Sequence, residues 1–127
     1  MTRNLSLLQN ATAADLSLDP FPHVVIENAL PDDLYDELEA SFPTPSSMGI
    51  DVSRNNHRWN YASRKIRRNK ALPQVWRDFI AYQTSDAFYL DVIRVFDEGI
   101  RGLYPDRFPT TEALTSLRTG VRKHDSF

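Results

Sequence analysis

Apolar residues recur at helical spacing in three stretches of the chain, and these stripes carry most of what the sequence predicts about its fold. In the first, Leu34, Leu38 and Phe42 lie along one helical face with Tyr35 beside them. Pro31 fixes φ at the opening turn, Asp32 and Asp33 put negative charge where a helix dipole is positive, and Pro43 stops the run. The second stripe opens at Pro73 and sets Val75, Trp76, Phe79 and Ile80 on one face. In the third, Tyr89, Ile93, Phe96, Ile100 and Leu103 alternate steps of four and three, and Phe88, Val92 and Val95 widen the face. That width predicts a mostly buried helix. Ser85 is a good N-cap for it, Asp86 suits its first turn, and Gly102 with Pro105 supplies a stop.

Strand signals are shorter. His23 to Glu27 is a β-branched run bounded by Pro22 and Asn28, which favours a strand. Residues 113–122, "ALTSLRTGVR", read as a final strand of weak alternation. The stretch "PTPSSMGIDVSRNN", residues 43–56, loses all periodicity and reads as loop. Residues 1–18 are polar and weakly patterned, a loose lead-in with at most a short helix. The expected organisation is this lead-in followed by a single incomplete α+β domain over 19–127, with two or three main helices packed on a small, incomplete sheet.

Composition narrows the possible functions. A chain of 127 residues suits one domain, and 41% apolar with 25% charged residues excludes a disordered polymer. The net charge of −2 selects neither nucleic acid nor membrane as a partner for the molecule as a whole. The absence of cysteine excludes disulfides, thiolate catalysis and cysteine zinc sites. No run approaches the roughly 20 apolar residues that span a bilayer, and the first residues lack a signal-peptide core. A cytoplasmic protein with no membrane partner is expected.

The charge is unevenly placed. Eight of the fifteen basic residues lie between Asp51 and Asp78 with no acid among them, whereas six acids and no base lie from Glu27 to Glu39. Within "SRNNHRWNYASRKIRRNK", residues 53–70, seven basic residues interleave with Trp59 and Tyr61. Such cations can neutralise phosphates while the aromatics stack on bases. Arg58, Arg64, Lys65, Arg67 and Arg68 form the candidate basic binding face of a small nucleic-acid-binding or protein-interaction module. A solvated face, or one paired internally with the acidic helix, is the commoner outcome of such a run, which makes nucleic acid the less favoured partner.

Catalytic motifs are missing. There is no G-x-S-x-G elbow and no phosphate-cradling glycine loop among only four glycines. His23, His57 and His124 lack the close ligand pair that anchors a zinc site, and His23 reads as a local hydrogen-bonding group. The aromatic series from Trp76 to Phe96 has helical spacing and reads as core.

The order of elements resembles the N-terminal part of iron(II)- and 2-oxoglutarate-dependent dioxygenases of the prolyl-hydroxylase-like superfamily. The stretches that carry the likeness are "PFPHVVIENALPDDLYDELEASFP", "LPQVWRDFIAYQTSDAFYLDVIRVF" and, more faintly, "VRKHDSF". The resemblance implies the first strands and supporting helices of a double-stranded β-helix, in an oxidoreductase whose full-length relatives use iron(II) and 2-oxoglutarate. Such enzymes hold iron with a His-x-Asp pair and a distant histidine, which leaves the opposite face open for co-substrate and oxygen. Here His23 is followed by Val-Val, His57 by Arg-Trp and His124 by Asp-Ser, so the His-x-Asp pair is missing. No catalytic, cofactor-binding or metal-binding residue is therefore assigned. The expectation is a truncated or remnant segment, inactive alone, whose exposed strand edge self-associates or accepts a partner.

Overall fold

Each of the three stripes becomes a helix in the computed structural model, which describes residues 3–53 and 60–117. Helix α1 spans Asp32–Ala40, with Pro31 at its N-cap and both aspartates in its first turn. It ends where the Ser41 N–H and hydroxyl both donate to the Glu37 carbonyl. Two short helices were not foreseen. One is α2, Ser63–Arg68, and the other is α5, Thr111–Thr115, capped by Thr110 Oγ1 accepting from the Ala113 N–H. Between them run α3, Gln74–Gln83, behind Pro73, and α4, Asp86–Leu103. The Ser85 hydroxyl caps α4 by accepting from the Phe88 N–H at 3.3 Å, as its sequence position predicts. Single 3-10 turns occur at Ala13–Asp15 and Ser46–Met48.

The core forms where α1 crosses α3. Leu34 and Leu38 pack against Phe79, with Leu5, Leu30, Val75, Trp76 and Ile80 around them. Trp76 adds a polar anchor, its Nε1–H donating to the Leu38 carbonyl at 2.9 Å. Its ring meets Phe42 and Phe79 edge-on at 5.3 and 5.8 Å, the geometry favoured by aromatic quadrupoles.

The α+β expectation is overturned. Among the described residues there is no strand and no sheet, and one isolated antiparallel bridge joins Ser17 to His23. Val24, Val25 and Ile26 carry no assigned secondary structure, and their backbone groups bond to no described segment that would complete a ladder. The predicted final strand fails for a different reason. Thr110 caps a helix instead, so residues 111–115 are α5, and residues 118–122 of that stretch lie outside the described residues.

Helix α4 is also less enclosed than its wide apolar face predicts. Ile93 and Val95 are buried, but Leu90 and Leu103 are 44% and 43% exposed. The turn at Ala13–Asp15, α3 and α5 cover α4 on part of its circumference. At Gly99 the N-terminal segment comes so close that a Cβ there would stand 2.4 Å from Leu16 Cδ2. Among the described residues, no helix is long and apolar enough to cross a membrane.

The N-terminal segment docks through polar side chains. The Gln83 amide donates to the Leu5 carbonyl and accepts from the Leu7 N–H. The Arg94 guanidinium donates to the carbonyls of Ala11 and Leu8. Ser6 and Ala11 are each 1% exposed as a result.

Helix α5 is tied to α4 by Asp97. Its carboxylate accepts from Arg101 Nε at 2.9 Å and Nη2 at 3.1 Å, and from Thr111 Oγ1 at 2.9 Å. The Arg101 hydrogen bonds hold the Asp97 carboxyl below the usual carboxylate range, partial burial opposes them, and Thr111 adds to the lowering. A carboxyl with a depressed folded-state pKa stabilises the fold above its unfolded value of about 4 and loses that effect as pH falls through the folded value. Because the Arg101 side chain is 35% exposed, the contribution is about 1 kcal/mol or less. Asp97→Asn is therefore expected to lower the denaturant midpoint at neutral pH, the gap closing in strong acid. A gap of constant size from neutral pH to strong acid would show that the Asp97 charge plays no part.

Candidate functional site

Helix α2 is the described element whose composition is least suited to a core. Four of its six residues, Arg64, Lys65, Arg67 and Arg68, are cationic. It forms because it packs on α3 and because Asn69 ties down its C-terminal end. The Asn69 side-chain nitrogen donates to the Ser47 carbonyl and to the Tyr61 hydroxyl, both at 3.0 Å, while its oxygen accepts from the Ala71 N–H. Leu72, 2% exposed, then anchors the turn into α3.

Of the five residues expected to form a basic face, the structure brings three together. Arg64, Lys65 and Arg68 are exposed and, with Tyr61 and Asn69, line an open pocket of about 430 Å³. Arg67 is half-buried and engaged in an interaction of its own. Arg58 lies outside the described residues. Asn69 was not foreseen as part of the site. Its signal was local, an asparagine closing a polar helix four residues before Pro73.

Of the solvated and internally paired outcomes expected for this run, Arg64, Lys65 and Arg68 take the solvated one and do not pair with the acidic helix. Asp33 and Glu37 of α1 face Arg3 instead, at 3.5 and 2.6 Å. Arg64, Lys65 and Arg68 make no ion pair or hydrogen bond among the described residues. A larger groove of about 970 Å³ runs between the N-terminal segment and α3. Its charges are satisfied internally, through Arg3 with Glu37 and Gln74 with Asp78 at 2.7 Å.

The iron centre implied by the resemblance does not fit the described residues. Among them no group of three His, Cys, Asp or Glu side chains is placed to hold a metal ion. His23 Nδ1 donates to the Phe21 carbonyl at 2.7 Å, which fixes its proton on that nitrogen and marks a local role. It does so at an isolated bridge to Ser17 rather than at the edge of a strand. His57 and His124 lie outside the described residues. No protein-family model, curated protein or solved structure matches the chain.

Proposed function

We propose that this chain is a helical support portion of an oxidoreductase of the iron(II)- and 2-oxoglutarate-dependent dioxygenase kind, and that its described residues build scaffold rather than the iron centre. The observation that carries the reading is the presentation of Val24 to Ile26 just ahead of α1. Val25 is 80% exposed, and the backbone groups of Val24, Val25 and Ile26 make no hydrogen bond among the described residues. A run with unused donors and acceptors can take a β-strand along its edge. This run lies in the stretch that resembles the family's first strand, and α1, α3 and α4 occupy the stretches that resemble its supporting helices.

Two measurements test the reading. With added iron(II), the chain alone is expected to consume 2-oxoglutarate at the rate of the protein-free control. Turnover at stoichiometric iron would put the ligands within this chain and overturn the scaffold role. The transcript that encodes the chain, or an adjoining gene, is expected to specify a His-x-Asp pair and a more distal histidine. If neither does, the assignment to this kind of oxidoreductase fails.

A further inference from the structure

We propose that the pocket on α2 lined by Tyr61, Arg64, Lys65 and Arg68 binds a nucleotide, its phosphate on the three cations and its base against Tyr61. The nucleotide is either free or a unit of single-stranded nucleic acid. Arg64 and Arg68 are four residues apart on the helix and Lys65 and Arg68 three apart, so all three cations share one face. Like charges at that spacing repel. Residues 60–72 contain no acid to offset them, and the acids of α1 that face a cation are turned to Arg3. The helix dipole favours Lys65 and Arg68 in the last turn but opposes Arg64 near the positive end. The helix's own electrostatics therefore leave the cluster in want of an external anion.

One feature separates this face from a merely solvated one: it carries an aromatic residue held in place, because Asn69 bonds the Tyr61 hydroxyl while anchored to the Ser47 carbonyl. A wall ordered before binding lowers the entropy lost on association. Base stacking on an aromatic ring tolerates any base, so the recognition is of a nucleotide and not of a sequence.

Fluorescence anisotropy of the full chain with a labelled oligothymidylate of about twelve nucleotides, over a salt series, tests the proposal. A single phosphate neutralised on the three cations predicts a slope of about −0.7 in log affinity against log salt. Replacing the three exposed cations together, Arg64→Gln with Lys65→Gln and Arg68→Gln, is expected to flatten that slope and weaken binding about tenfold or more. Its far-UV circular dichroism should stay unchanged, and its melting point should not fall, because the mutual repulsion goes with the charges. Tyr61→Leu is expected to weaken binding roughly fivefold or more, and Tyr61→Phe to retain most of it. Competition by thymidine 5′-monophosphate at similar concentration assigns the pocket to a free nucleotide, and its failure to compete assigns it to a strand. The proposal is overturned if neither probe binds, if the triple variant keeps the slope, or if Tyr61→Leu binds as well as Tyr61→Phe. It is equally overturned if phosphatidylserine vesicles bind through the three cations while both nucleotide probes do not.

Discussion

Truncating Phe79 to alanine is expected to cost about 3–5 kcal/mol, a large share of the total stability of an ordinary domain. Phe79 is 8% exposed and stands where α1 and α3 meet, touching the cluster of Leu34 and Leu38 and presenting its ring to Trp76. Removing it takes away the transfer free energy of the ring and leaves a cavity, because the backbones on either side are fixed by their own hydrogen bonds. The Trp76 bond to the Leu38 carbonyl is expected to weaken with it, since that bond needs the α1–α3 spacing that Phe79 maintains. Thermal melting monitored by near-ultraviolet circular dichroism is the measurement, with a fall of more than about 10 °C expected. Phe79→Leu, which keeps most of the volume, is expected to recover over half of the loss. A fall of only a degree or two in the alanine variant would mean that the stabilising core lies elsewhere.

Replacing Arg94 with methionine is expected to release the N-terminal segment while the α1–α3 core stays folded. The guanidinium reaches two carbonyls, Leu8 and Ala11, that belong to no helix, the Leu8 carbonyl also accepting from the Ala11 N–H. Charge-assisted hydrogen bonds of this kind contribute about 1.5–3 kcal/mol each, and exposure of the Leu8 bond puts the pair near the lower end. Methionine keeps the apolar stem, so the effect isolates the fork of donors. Backbone amides of Gln9, Ala11 and Leu16, now bonded within the segment, should exchange with solvent roughly tenfold or more faster, in line with local opening. Amides of α3 should keep their protection. Equal acceleration in both places would show that the segment and the core unfold as one unit.

How much was legible beforehand differs by element. Helices α1, α3 and α4 could be placed because their apolar residues repeat with the helical period and their ends carry proline or serine at the right positions. Helix α2 could not. Its sequence is a basic run with Ile66 as its lone apolar residue, and a helix of that length owes its existence to α3 rather than to its own propensity. The reading of Val24 to Ile26 as a strand failed because a strand is defined by its neighbour, and none of the described residues is that neighbour. The docking of the first residues was equally hidden, since Leu5 and Ala11 depend on Gln83 and Arg94, 78 and 83 positions away.

The candidate site shows the same division. Five basic residues could be named from the sequence, but charge patterning does not say which of them remain available. Arg3 takes Asp33 and Glu37 of α1, Arg67 is half-buried with an interaction of its own, and Asn69 fixes Tyr61 beside Arg64, Lys65 and Arg68.

The amino-acid sequence by itself determined where the long helices begin and end, which of their faces are apolar, and where positive charge is concentrated. These follow from interactions within a few residues of one another, where spacing and side-chain type are sufficient. Tertiary structure alone decided that the described chain is helical without a sheet, that a polar N-terminal segment is held down, and that three cations share an open pocket. Each of those outcomes rests on contacts between residues distant in the chain, whose energies depend on which surfaces meet and not on local pattern.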